Sequence, residues 1–366
     1  MQKQYLLTPG PTPVPERVLL AMAQPVLHHR MPAFAEIMKE VLEGLRWLYG
    51  TQHPVVILNG SGTAAMEAAV VNFLSRGDKA RVIRGGKFGE RWGEIATAYG
   101  VECVYLDVPW GTAVDPAAVE ATLAKDSGIR AVYATANESS TGAWHPVDKI
   151  AKITRDKKDV LLCVDAVSAL GAVSLPMDEW GIDVLVAGSQ KALMLPPGLA
   201  FLGANARAWA RCEQANLPRF YLDLRAERKA QDGGETAFTP GVSLIVGLRE
   251  ALEMIREETL EKVYARHDRL ARATRAAAEA LGCELYAKTA PSPTVTSIKS
   301  PPGLDSGKIV KHLRSKYGVS IVGGQGSLKG KIFRVAHLGY YSTFDILTVV
   351  CALEMGLCDL GVKIER

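Results

Sequence analysis

Two residues of opposite charge end two apolar runs 26 positions apart: Asp165 closes Val160-Leu161-Leu162-Cys163-Val164, and Lys191 follows Asp183-Val184-Leu185-Val186-Ala187-Gly188-Ser189-Gln190. Runs of this length and branching read as buried strands. In open α/β sheets, ligands sit beyond the carboxyl ends of the strands, so both charges are aimed at a ligand site. An amine that can form a Schiff base and a carboxylate that can pair with a pyridinium nitrogen are what pyridoxal phosphate (PLP) chemistry asks of a protein. Taken singly, a lysine after a strand reads as a solvated loop residue and an aspartate there as a helix cap. The ends of other strands add what the pair would need.

Asn59-Gly60-Ser61-Gly62-Thr63-Ala64-Ala65-Met66-Glu67 lies between the first apolar run and an Ala-rich helical stretch. Its small residues let a phosphate approach backbone N–H groups at a helix N-terminus. Ala65 stands where a dinucleotide motif has its third glycine, and no P-loop lysine follows, so nucleotide binding is disfavoured. Gly85-Gly86-Lys87-Phe88-Gly89-Glu90-Arg91-Trp92 ends the next run, with Phe88 the better candidate to stack on a planar heterocycle. Trp92, four residues on, reads equally as helix core. Asn137-Glu138-Ser139-Ser140-Thr141-Gly142 offers the Ser139 hydroxyl to a phenolic oxygen, although such a cluster is also plain turn chemistry.

The elements that must position these residues are β-branched runs alternating with helical patterns: 55–58, 80–83, 102–106, 131–134, 160–164 and 184–187. The alternation predicts βαβ units and a mostly parallel sheet. The run 198–202 follows too closely for a crossover helix and is expected to pair antiparallel. A long helical pattern from Gly241 to Leu281, interrupted near Glu258, leads to an α+β remainder with strands near 294–298 and 332–335 and helices near 307–317 and 343–360. The expected organisation is an N-terminal arm at 1–15, a large domain with a seven-stranded sheet at 16–248, and a small α+β domain at 249–366.

The chain resembles fold-type I, class V aminotransferases, most nearly the alanine-glyoxylate / serine-pyruvate aminotransferase group. The motifs that carry the resemblance run from Pro9-Gly10-Pro11-Thr12 through Ser61-Gly62-Thr63, Lys87 to Trp92, Glu138 to Gly142, Val164-Asp165-Ala166-Val167, Gly188-Ser189-Gln190-Lys191 and Thr239-Pro240 to Phe333-Arg334-Val335. The resemblance implies PLP held on Lys191, Asp165 as partner of the pyridine nitrogen, Phe88 and Val167 on the two ring faces, and Ser139 at the phenolic oxygen. It implies Ser61, Gly62, Thr63 and Gln190 around the phosphate. Thr236 and Thr239 would reach that phosphate from a partner subunit, which makes a homodimer; several relatives carry tyrosine at the first of these positions. Arg334 would bind the substrate carboxylate, and Gly10 would lie over the substrate. The reaction implied is a ping-pong transamination from alanine or serine to glyoxylate or pyruvate. An aspartate-type aminotransferase or a cysteine desulfurase-like lyase on the same fold is the alternative. No second arginine is evident for a side-chain carboxylate, and the glycine-rich stretch Val322 to Ser327 lacks the nucleophilic cysteine of a desulfurase.

Bulk properties agree with small-molecule chemistry. The 366 residues carry a net charge of +4 from 43 basic and 39 acidic side chains, spread without the basic patch that nucleic acid or membrane binding would need. No apolar stretch approaches a membrane span and no secretory leader is evident, so a cytoplasmic protein is expected. The six cysteines are scattered without CxxC spacing and read as reduced core residues, and His28-His29 has no partners that would complete a metal site.

Overall fold

The computed structural model describes residues 3–364. The first two residues of the expected arm and the last two of the expected small domain therefore lie outside the described residues.

Seven strands build the large sheet: β1 (Val55–Gly60), β2 (Lys79–Arg84), β3 (Glu102–Asp107), β4 (Ile129–Thr135), β5 (Leu161–Asp165), β6 (Val184–Gly188) and β7 (Gly198–Ala204). The spatial order is β1-β7-β6-β5-β4-β2-β3. β7 runs antiparallel to both β1 and β6, while the other neighbours pair parallel. β5 and β6 are buried at every position, as strands covered by helices on both faces must be. Among the covering helices, α1 (Gly62–Val71) and α2 (Lys87–Ala98) begin directly beyond β1 and β2 and so place their N-termini at the carboxyl edge of the sheet.

The long helical pattern is two helices, α3 (Val242–Glu258) and α4 (Leu260–Ala280), divided at Thr259, whose φ of 71° breaks the helical backbone. Ile245, Leu248, Leu252 and Ile255 of α3 join the core of the large sheet, whereas Leu270 and Ala278 of α4 join a second core. A boundary between 248 and 249 thus falls inside one continuous helix, and the packing changes only along α4. The second core is built on the sheet β8 (Val295–Lys299), β9 (Val322–Gly323) and β10 (Ile332–Ala336), in the order β8-β10-β9, and on α5 (Thr343–Asp359).

The N-terminal arm belongs to both units. Tyr5–Leu6 pairs parallel with Val319–Ser320, and Leu7 is buried in the second core. The chain then crosses to the carboxyl edge of the large sheet. Of the cysteines, Cys163, Cys212 and Cys283 are buried, but Cys351 and Cys358 are exposed and Cys103 is half-buried. The expectation of a wholly buried set fails on α5, whose apolar composition continues round its solvent face.

Candidate active site

Asp165 is the last residue of β5, in register with Thr135 on one side and Val186 on the other. It is 4% exposed, and its Oδ1 accepts the Val167 N–H at 2.8 Å. Burial pushes its carboxyl up to about 7, against the pull of that hydrogen bond and of the Lys191 and Arg91 charges. Lys191 follows β6, the neighbouring strand. Burial pushes its amine down to about 8, although Asp165 favours the cation; Arg334 and Arg91 push it further down. Each strand contributes one charge, and the sheet brings the two to one edge.

The arm closes over Lys191. Its Nζ donates to the Pro9 carbonyl, and Thr12 donates through N–H to the Gln190 carbonyl at 3.2 Å and through its hydroxyl to the Lys191 carbonyl at 2.8 Å. Gly10 has φ 134°, and a Cβ there would collide with Lys191 Nζ and lie 2.5 Å from its Cε. Only glycine allows the arm this approach. Gly10→Ala is therefore expected to misplace the Lys191 amine and lower kcat/KM by about 100-fold, measured by steady-state kinetics beside a melting curve that registers any loss of fold.

Ser61 is the N-cap of α1, yet its hydroxyl makes no cap hydrogen bond. Gly62 is buried beneath Val167, whose Cγ2 would stand 2.5 Å from a Cβ at that position. Gln190 Oε1 is buried without a hydrogen-bond partner among the described residues. Phe88, in the first turn of α2, is half-buried and lies 4.9 Å from the Arg91 guanidinium. Trp92 is fully buried and stacks on Tyr133 at 4.6 Å, so it is helix core.

Arg334 comes from β10 of the small sheet and is 4% exposed. Its Nε and Nη2 donate to the Gly323 carbonyl at 3.1 and 2.8 Å, and its Nη1 to the Ser139 carbonyl at 2.6 Å. A guanidinium has five N–H donors, and these bonds leave one free on each Nη, a fork matched to a carboxylate. Burial lowers its affinity for the proton, to about 10, so it stays charged at neutral pH. Ser139 is itself buried on the loop that follows β4, whose Thr135 is in register with Asp165, so Arg334 is tied to the neighbouring strand's end.

Thr236 and Thr239 sit apart from these residues on a segment tied to the end of β1: Asn59 Nδ2 donates to the Thr239 carbonyl at 3.0 Å and its Oδ1 accepts the Gly241 N–H at 3.0 Å. Thr236 is buried and donates its hydroxyl to the Phe238 carbonyl at 2.7 Å, while Thr239 is exposed.

Sequence reading missed three positioning residues. Glu138, fully buried, accepts the N–H groups of Phe88 (3.1 Å) and Gly89 (2.9 Å) and the Ser140 hydroxyl (2.5 Å), so a carboxylate stands at the N-terminus of α2 where the helix dipole favours it. Thr12 anchors the arm. His267 accepts the Gly339 N–H at 2.9 Å through Nε2 while its Nδ1 meets the Val263 carbonyl at 2.7 Å, and burial holds it neutral. It thereby fixes the loop where a Cβ on Gly339 would be 3.0 Å from the Lys191 carbonyl. Charge next to Ser139 was a signal for Glu138, and Thr12 closes the Pro9-Gly10-Pro11-Thr12 motif; nothing local marks His267.

The aminotransferase class-V family model matches residues 4–344. Curated relatives include the soluble hydrogenase small subunit of Synechococcus sp. (strain PCC 6716), 44% identical over 98% of this chain and 94% of that protein. The L-aspartate–glyoxylate aminotransferase of Paracoccus denitrificans is 38% identical over 98% of this chain and 92% of its own length. The serine–glyoxylate aminotransferase of Methylorubrum extorquens is 36% identical over 99% and 93%. Among solved structures, the ureidoglycine–glyoxylate aminotransferase of Bacillus subtilis superposes with a TM-score of 0.96 at 31% identity, covering 100% of this chain and 96% of that one. With a desolvated lysine beside a buried aspartate at one sheet edge, and a family match that spans nearly the whole sequence, this chain belongs to the class-V aminotransferases, enzymes whose cofactor is PLP.

Proposed function

We propose that this enzyme transfers the amino group of a small amino acid, alanine or serine, to glyoxylate or pyruvate in a ping-pong cycle. The observation that carries the reading is the meeting of Lys191, Asp165 and the Arg334 fork across two sheets. The relatives named for serine and L-aspartate as donors share glyoxylate as acceptor, which supports the acceptor more than the donor. A small donor is favoured because Lys87, whose Cδ would lie 3.5 Å from a Cβ on Gly326, has its charge paired with Glu90.

The residues present fit the cofactor: among the described residues, Gln190 Oε1 is unpartnered and the Ser61 hydroxyl uncommitted beside the N-terminus of α1, and Asp165 is buried without a directly bonded cation. When bound, PLP supplies the electron sink for breaking the Cα–H bond. Asp165 would hold a proton on the ring nitrogen by charge, Phe88 and Val167 would bracket the ring, and Ser139 would meet the phenolic oxygen. Ser61, Gly62, Thr63 and Gln190 hold the phosphate. Lys191 would be the residue that holds the cofactor and the base that carries the Cα proton. Arg334 grips the substrate carboxylate and fixes Cα for that transfer, while Gly10 and the arm exclude water. Arg334→Lys keeps the charge but loses the fork and strips donors from two carbonyls, so kcat/KM is expected to fall about 100-fold, with most of the change in KM for the amino acid.

The active unit we propose is a homodimer in the cytoplasm. Tyr221 stacks on Phe238 beside Thr239, Phe220 packs against the same ring at a tilt, and Phe220 is 80% exposed, an apolar patch around the segment that would reach a partner's phosphate site. A groove of about 580 Å³ between Val26 to His29 and Thr239 to Leu244 continues it. Six free cysteines suit a reducing compartment, and among the described residues no helix is long and apolar enough to cross a membrane.

Absorbance of the purified enzyme during separate additions of L-alanine, L-serine and L-aspartate tests the assignment. Loss of the long-wavelength band with alanine or serine, and its recovery with glyoxylate, is expected. A response to aspartate alone would replace the proposed donor.

A further inference from the structure

We propose that Arg91 is the cation that neutralises the cofactor's phosphate within the same chain, an assignment that rests on the PLP reading above. Arg91 lies one turn after Phe88 on α2, half-buried. Among the described residues its guanidinium makes one hydrogen bond, to Thr63 Oγ1 at 3.3 Å, a contact with the Phe88 ring at 4.9 Å, and no ion pair. Four of its five N–H donors are thus uncommitted.

Its position is electrostatically wrong for a structural arginine. Thr63 is in the first turn of α1, a ten-residue helix, and the N-terminus of a helix carries positive charge that favours anions and repels a guanidinium. Basic side chains gain from helix C-termini instead. One residue before Thr63, the Gly62 N–H lies near Gln190 Oε1: a Cβ added to Gly188 would lie 3.3 Å from each. Rotating the Gln190 amide about its terminal bond turns that orphaned, buried position into a donor. A helix N-terminus, a serine hydroxyl without a cap hydrogen bond, an orphaned amide oxygen and an uncompensated guanidinium therefore all belong to the first turn of α1 and the residues that touch it. A dianion placed there turns each repulsion into a charge-assisted hydrogen bond. The same guanidinium also favours the neutral form of Lys191 and the ionised form of Asp165, so it lies within electrostatic reach of both.

The test compares PLP with pyridoxal, which lacks the phosphate, in titrations of cofactor-free wild-type, Arg91→Gln and Arg91→Lys proteins followed by tryptophan fluorescence. In Arg91→Gln, PLP is expected to bind about 10- to 100-fold more weakly while pyridoxal binds within about twofold of wild type, the loss of one charged hydrogen-bonding partner. Arg91→Lys, which keeps the charge, is expected to recover most of the PLP affinity. Equal weakening of both ligands would mean that Arg91 only buttresses Phe88 or Thr63, and unchanged PLP affinity would mean that it faces elsewhere; either overturns the proposal. If Arg91→Gln does not fold, Arg91→Met takes its place under the same criteria: selective weakening of PLP over pyridoxal supports the assignment, and a parallel loss or no loss overturns it. Wild-type protein that binds neither ligand would overturn the cofactor reading itself, a result distinct from any change confined to the variants.

Discussion

Lys191→Ala is expected to bind PLP without a covalent bond and to turn over about 10⁴-fold more slowly or worse, because the variant loses both the attachment point and the base that moves the Cα proton. Single-turnover absorbance with L-alanine reads both effects, and added methylamine should restore part of the rate by supplying the missing base. A variant within tenfold of wild type would remove Lys191 from the reaction. The environment adds a pH signature. The amine is brought down to about 8 chiefly by desolvation, with Arg334 and Arg91 assisting and Asp165 opposing. The neutral amine is the nucleophile, so covalent capture of PLP by the cofactor-free wild type should fall about tenfold per unit below pH 8 and level off above it. A rate still climbing to pH 10 would place the amine in ordinary solvent.

Asp165→Asn should fold, bind PLP within about tenfold of wild type, and slow the half-reaction with an amino donor about 10³-fold, since an amide cannot stabilise the protonated ring by charge. Stopped-flow measurement of that half-reaction decides it, and a wild-type rate would refute the role. The cofactor-free protein offers an independent check. Burial raises this carboxyl from 3.8 to about 7, so between those values the folded state holds more protons than the unfolded one. Stability from this group is then present at low pH and lost as pH rises through about 7. Asp165→Asn should abolish that slope in melting curves taken from pH 4 to 7.

The pattern that reveals both residues is short and local. Apolar runs ending in Asp165 and just before Lys191 define strands by composition, and the parallel rule puts their carboxyl ends together; the observed adjacency of β5 and β6 follows. The antiparallel β7 was legible in the same way, from a link too short to cross over. Ser61, Gly62 and Thr63 were legible as a loop entering a helix, and Phe88 as an aromatic at the start of the next one. Cys351 and Cys358 misled, because an apolar helix pattern does not state which of its faces meets solvent.

By itself, then, the sequence determined the α/β class, the strand ends that carry the chemistry and the lysine–aspartate pair, because strand periodicity and turn composition act over a few residues. Only the tertiary structure decided what reaches those residues from far along the chain. Thr12 and Gly10 close on Lys191 across some 180 positions, Glu138 seats the helix of Phe88, Arg334 spans two sheets to Ser139, and Arg91 faces the wrong end of a neighbouring helix. Those contacts depend on how the two cores pack and on which polar groups burial leaves without water, and no local pattern encodes either.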